Sequence, residues 1–224
     1  MGSLQHRIVR QTSIIPRGVA RYMACLLLLP AALSIAGGAQ AQQWRIASDE
    51  DGIRMETRRI PGERFDELRI STSLKASPEA IADYLFGKYL DERNKHISRT
   101  FIQRGRELTI WSDVLSTPFI SQRCYSMRFE RQAQANGEIR VKFASLDYVG
   151  TKPTPDCIAL RSHGEWAMAP TSTGTLLTYE SLTDIGGKVP AAFASRSLSA
   201  AAIMSMRKVV AGSSGLALPQ GIGD

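Results

Sequence analysis

Two segments of alternating character, 123–134 and 138–148, meet across the short polar turn Ala135-Asn136-Gly137. Tyr125, Met127 and Phe129 share one side of the first, and Ile139, Val141 and Phe143 share one side of the second. Arg128, Glu130, Arg140 and Lys142 fall opposite. Successive side chains point to opposite faces of a strand, so this pattern requires an antiparallel sheet with one wet face and one covered by something apolar. Whatever else the chain does, it must supply that cover.

The remaining segments extend the sheet. Segments 44–48, 53–60 and 64–74 read as three strands joined at Asp49-Glu50-Asp51-Gly52 and Pro61-Gly62, the third alternating Leu68, Ile70, Thr72 and Leu74 against polar neighbours. Further strands are expected at 96–104, 107–116, 157–168 and 175–183, with Gly105-Arg106 as another turn. In the segment 157–168, Ile158, Leu160 and Trp166 share a side, with Arg161 opposite. Together with the first pair this makes nine strands. Between the third and fourth, Ser77 caps a helix and Pro78 occupies its first turn, where the missing N–H costs nothing. Ile81, Tyr84, Leu85 and Tyr89 follow at helical spacing, and Gly87 divides two short helices. The cover comes from segment 190–211, where Ala194, Leu198, Ala202, Met206 and Val209 recur at helical spacing. The expected class is α+β, one long C-terminal helix lying across a curved, nine-stranded antiparallel sheet.

The chain of 224 residues carries 28 Lys and Arg against 21 Asp and Glu, a net charge of +7 that would ordinarily invite a polyanionic partner. The first 41 residues change that reading. Arg7, Arg10, Arg17 and Arg21 precede the apolar stretch 23–35, and Ala39-Gln40-Ala41 follows as a small-x-small cleavage site, the pattern of a secretory signal peptide. Without it the chain keeps 24 basic and 21 acidic residues, a charge of only +3, and nucleic-acid binding loses its support. The expected organisation is a signal peptide at 1–41, one domain at 42–212 and a flexible tail at 213–224, in a protein that is periplasmic or secreted. Cys124 and Cys157 remain in a compartment that permits a disulfide. The strand reading, however, places one strand between them, a gap of roughly 10 Å against the ~7 Å that a bridge spans. Whether they pair stays open.

Ordered local motifs add a resemblance. Pro118-Phe119-Ile120-Ser121-Gln122-Arg123-Cys124 resembles the Pro-x-x-x-x-Arg-Asp signature of START lipid-transfer domains, with Cys124 in place of the Asp. Gly164-Glu165-Trp166 followed by Pro170 is similar to the Gly-x-Trp…Pro stretch of that family. Tyr179 and then Asp184-Ile185-Gly186-Gly187-Lys188-Val189-Pro190 resemble its Tyr…Asp-Pro-Gly-Gly-x-Ile-Pro segment, with Ile185 in place of the first Pro, and Trp44…Asp51-Gly52-Ile53…Arg58 matches its opening. The resemblance covers essentially the whole of 42–212 and implies a helix-grip fold with a hydrophobic ligand held beneath the C-terminal helix.

Candidate ligand-binding residues come from the faces taken to be covered: Leu108, Ile110, Ser112 and Val114; Tyr125, Met127 and Phe129; Val141 and Phe143; Leu160 and Trp166; and Thr178. Leu198 and Ala202 answer them from the helix. Its many Ala and Ser residues either leave room for a cavity or allow close seating, and the resemblance favours a cavity. By the same parity Arg123 and Glu180 are charges facing the interior, which must bond each other, a ligand head group or water, unless a bulge turns them to solvent. Phe119 and Ile120 are bulky apolar side chains in a loop, expected to gate the cavity and to touch membrane, or else to be packed against the domain.

No nucleophile elbow, phosphate loop, dinucleotide fingerprint or metal-ligand spacing is present, and neither His96 nor His163 has a partner at such spacing. No catalytic residue, metal or cofactor is therefore expected. The leading expectation is a carrier, a monomer whose partners are a hydrophobic small molecule or lipid and, transiently, a membrane. The alternative is a helix-grip enzyme, cyclase- or aromatase-like, using Glu180 or Tyr125 as acid or base in the same cavity.

Overall fold

A computed structural model describes residues 43–118 and 120–215. The signal-peptide reading at 1–41, Phe119 and most of the expected tail lie outside the described residues. The strands are β1 (Arg45–Glu50), β2 (Ile53–Arg58), β3 (Glu67–Leu74), β4 (Ile97–Gln103), β5 (Leu108–Leu115), β6 (Arg123–Ala133), β7 (Ile139–Leu146), β8 (Ile158–Ala159), β9 (Arg161–Thr171) and β10 (Gly174–Asp184). Helix α1 (Pro78–Tyr84) runs into a π-helical turn, Leu85–Tyr89, and α2 (Ala191–Ser213) closes the domain. Nine strands lie in the order β1-β2-β3-β10-β9-β7-β6-β5-β4, and β8 pairs with β6 off this path.

Local chemistry accounts for the elements. The Ser77 hydroxyl accepts from the Ala80 N–H at 3.2 Å and Pro78 opens α1, while Gly87 leaves helical geometry inside the π-helical turn. α2 extends through Ser213, so the helix takes the first residue assigned to the tail. Among the described residues no helix is long and apolar enough to cross a membrane.

The sheet has ten strands instead of nine because segment 157–168 is not one strand. Residues 158 and 159 run parallel to the start of β6, Arg123 opposite Ile158 and Cys124 opposite Ala159. The chain breaks at Leu160, and only then does β9 join β7. That excursion carries Cys157 past the expected intervening strand to within 5.9 Å (Cα–Cα) of Cys124, and the two form a disulfide.

The sheet's inner face, which α1 and α2 cover, is the core. Ile70, Val141, Trp166, Met168 and Leu177 are almost wholly buried there, against Ile81 and Leu85 from the first helical region and Met206 and Val209 from α2. A row of rings crosses it, Trp111 to Phe129 at 4.8 Å, Phe129 to Phe143 at 5.7 Å, Phe143 to Tyr179 at 5.7 Å and Tyr179 to Trp166 at 4.4 Å. Such contacts add to the stabilisation that burial of large apolar area already gives this face.

Candidate functional site

Between the inner face and α2 lies a cavity of about 100 Å³. Leu68 and Tyr179 form its floor, Leu198, Ala201 and Ala202 its roof, and Asp66, Ser181, Thr183 and Ser205 supply polar groups. Leu198 and Ala202 are where the sequence places them. Tyr125, Met127, Phe129, Val141, Phe143 and Trp166 also lie on the inner face, packed against one another or against the helices, and do not line this cavity.

Seven other expected lining residues are on the wrong side. In β5, Trp111 stands opposite Met127 and Asp113 opposite Tyr125, so Leu108, Ile110, Ser112 and Val114 face outward. The Ser112 hydroxyl is shared with that of Ser126 at 2.7 Å and donates to the Val149 carbonyl at 2.9 Å, under the loop after β7. In β10, Tyr179 stands opposite Trp166 and Leu177 opposite Met168, which turns Thr178 and Glu180 outward. Leu160, at the break before β9, lines an outer groove with Arg161 and His163. β5 and β10 carry apolar residues on both faces, so alternation alone cannot say which face is covered; Trp111 and Tyr179 decide it.

Glu180 sits 3.7 Å from Arg69 on the outer face, and partial burial raises its pKa despite that neighbour. It has no access to the cavity. Tyr125 does face inward, but its hydroxyl donates to Asp113 at 3.1 Å, and burial, followed by the Asp113 charge, pushes its pKa far above the usual phenol range. Neither residue is placed to exchange protons with a ligand beneath α2 near neutral pH.

Asp113 is the inner-face residue that sequence reading missed. It is fully buried and takes both Arg99 nitrogens, Nε at 2.8 Å and Nη2 at 2.7 Å, together with Trp111 Nε1 at 2.9 Å and the Tyr125 hydroxyl. Arg99 in turn donates to the Leu90 carbonyl at 3.0 Å and lies over the Trp111 ring, 4.8 Å from its centre. Burial lowers the Arg99 pKa, yet the hydrogen bonds and charge of Asp113 more than reverse this and leave it raised. A carboxylate in phase with Trp111 along β5 was the available signal.

Arg123 faces inward, as parity predicts, but bonds neither a ligand nor Glu180. Its guanidinium donates to the carbonyls of Ile185 at 2.9 Å, Gly186 at 3.2 Å and Ser121. Burial lowers its pKa, and no carboxylate is among its hydrogen-bond partners to reverse this. Arg64 reaches the same turn from the other side, donating to Gly187 and Val189 carbonyls at 2.6 Å each. The lead into α2 is thus held by two arginines, with Phe65, Val189 and Ala194 in a small apolar cluster beneath it. Ile120 is half-buried.

No family model matches the sequence. An uncharacterized protein of Pseudomonas aeruginosa is 26% identical over 183 residues, 78% of this chain and 87% of that protein. A solved fragment of a STAR-related lipid transfer protein from Xanthomonas axonopodis matches with a TM-score of 0.66 at 19% identity, over 76% of this chain and 98% of the fragment. The chain has the START-type helix-grip fold. Human STARD10 shares that START-type fold, with a TM-score of 0.63 at 14% identity over 76% of this chain and 72% of that one. So does human StAR-related lipid transfer protein 5, with a TM-score of 0.59 at 17% identity over 77% and 85%.

Proposed function

We propose that this protein is exported to the periplasm and carries a hydrophobic molecule, a lipid or polycyclic isoprenoid, between the inner face of its sheet and α2, delivering it to a membrane or a partner. The observation that carries the reading is the uneven seating of α2 over an apolar floor. From Ala191 to Ala201 only Ala194 is buried, with Leu198 and Ser199 half-buried, whereas Ala202, Met206 and Val209 are buried in the second half. The cavity lies beneath the middle of α2, where the loosely seated half meets the seated one, and measures about 100 Å³, well short of the ~300–1,000 Å³ that drug-sized ligands occupy. Loading therefore requires the first half of α2 to lift. Lifting exposes Leu68 and Tyr179, and burial of an apolar ligand there contributes ~25 cal/mol per Å². Ser181, Thr183, Ser205 and Asp66 are the groups that would orient its polar end. Ile120, with Phe119 beside it in the chain, precedes Ser121, whose carbonyl Arg123 links to the turn that leads into α2, and in this reading it serves as the gate and membrane contact.

Native mass spectrometry of the full chain expressed with export, purified without detergent, tests this. A co-purifying lipid mass, displaceable by an apolar fluorescent probe, is expected, and N-terminal sequencing should begin at or near Gln42. Absence of both lipid and saturable probe binding would remove the carrier reading. An N-terminus at Met1 in material from the periplasmic fraction would remove cleavage.

A further inference from the structure

Cys124 stands where the START signature has Asp, and neither the cavity nor the Arg123 contacts explain it. Its disulfide partner Cys157 precedes β8, and both cysteines are buried, 2% and 6% exposed. β8 has two residues, attached to β6 by two residue pairs and by the Ile158 N–H donating to the Gln122 carbonyl at 3.0 Å. So short a strand has little hydrogen bonding to hold it in place, and segments of that kind open first. Yet the Gly186-Gly187 turn rests on it. A Cβ on Gly186 would come 2.5 Å from the Ala159 carbonyl oxygen and 2.8 Å from Ile158 Cγ2, and one on Gly187 would come 2.9 Å from Ile158 Cδ1. Both glycines have positive φ, +66° and +65°, so the turn needs Gly for its backbone as well as for this close approach. Two residues beyond it, Val189 leads into α2.

We propose that the Cys124–Cys157 disulfide is a clamp on the entrance: it keeps β8 against the Gly186-Gly187 turn and so sets how readily the first half of α2 lifts. The functional consequence rests on the carrier reading, while the clamp itself does not. Reduction by a dithiol releases it. One thiolate attacks a disulfide sulfur to form a mixed disulfide, the second thiol resolves this, and the products are two protein thiols and the oxidised dithiol. Because both cysteines are buried, the attack waits on local opening of the segment around Cys157.

Hydrogen–deuterium exchange resolves clamp from staple. The oxidised wild type is compared with Cys124→Ser/Cys157→Ser and with Ile158→Ala, which keeps the disulfide and removes only the side chain against the turn. Exchange across 194–201, the first hydrogen-bonded amides of α2, is expected to quicken at least tenfold in both variants, with β7 and β9 protected as before. Release of an apolar fluorescent probe should speed up several-fold, with its equilibrium affinity changed less than twofold. Wild-type protection across 194–201 in the double cysteine variant would overturn the clamp, and so would a uniform loss that includes β7 and β9; wild-type protection in Ile158→Ala would overturn its transmission through β8. If the double cysteine variant does not fold, the folded wild type reduced with a dithiol takes its place, and Ile158→Ala tests only the contact between β8 and the turn. A wild type that binds no probe would remove the carrier reading, with the exchange pattern still deciding the clamp.

Discussion

Replacing Asp113 by asparagine removes one charge and almost no volume from the inner face of β5. Oδ1 accepts only from Arg99 Nε, at 2.8 Å, whereas Oδ2 accepts from Arg99 Nη2, Trp111 Nε1 and the Tyr125 hydroxyl at 2.7, 2.9 and 3.1 Å. An amide has one acceptor oxygen and one donor nitrogen. With nitrogen at the first position it meets the Nε–H; with nitrogen at the second it meets three donors. No orientation satisfies the site. The carboxylate side chain is 1% exposed and that of Arg99 22%, so the pair is screened little by solvent. Two unit charges about 4 Å apart at an effective dielectric near 20 attract by about 4 kcal/mol, and breaking one side of a buried pair typically costs ~3–5 kcal/mol.

Urea unfolding followed by the fluorescence of Trp111 and Trp166 reads this directly. With a slope of about 2 kcal/mol per M, a loss of ~4 kcal/mol moves the midpoint down by ~2 M. Arg99→Met combined with Asp113→Leu should recover only part of the loss, since it leaves no charge stranded but deprives Trp111 Nε1 and the Tyr125 hydroxyl of their acceptor. A midpoint shift under ~0.5 M at unchanged slope for Asp113→Asn would refute the reasoning, because it would mean that water already satisfies these donors.

Two further outcomes are expected. Gly164→Ala would place a Cβ 1.9 Å from the Glu180 carbonyl oxygen and 2.7 Å from the Phe143 ring, so strands β9 and β10 must part. The melting temperature should fall by an amount equivalent to about 1–3 kcal/mol, and an unchanged melt would show that this spacing is not fixed. Glu180→Gln should stabilise slightly at neutral pH. The raised carboxyl pKa makes the folded state favour the protonated form, an advantage complete below the unfolded pKa and lost as pH rises through the folded one. The gain is ~0.5 kcal/mol or less because the side chain is 31% exposed and screened, and a gain at acid pH but not at neutral pH would contradict it.

The parts of this fold that the sequence declares are those with chemically distinct faces. β6 and β7 carry rings and branched residues on one side and charges on the other, so both their pairing and their orientation follow from alternation. β5 does not. Leu108 and Ile110 compete with Trp111 for the interior, and only pairing with β6 shows that Trp111 and Asp113 face inward. The Arg99–Asp113 bond joins residues 14 apart on neighbouring strands whose register shifts at a bulge between Phe101 and Gln103, and a local pattern carries no register across such a shift. β8 escapes notice for a related reason. Two residues are too few to alternate, so the excursion that unites Cys124 with Cys157 reads as the beginning of β9.

The small residues of α2 admitted two readings, room for a cavity or close seating, and the helix uses each in a different half. At its C-terminal end Gly212 lies so near the Tyr84 ring that a Cβ would come within 2.1 Å of it, and Met206 and Val209 are fully buried beside it. At its middle Leu198, Ala201, Ala202 and Ser205 line the cavity of about 100 Å³, and toward its N-terminal end Phe193, 57% exposed, points away from the core. We propose that a helix gripped at one end and loosely laid at the other opens as a lever, in which a small rotation at Tyr84 becomes a larger displacement over the cavity. In the carriage we propose, the pivot is the Gly212–Tyr84 contact, and the restraint is the turn that Arg64, Arg123 and β8 hold at the far end. The site therefore depends less on any lining residue than on the balance between these two attachments.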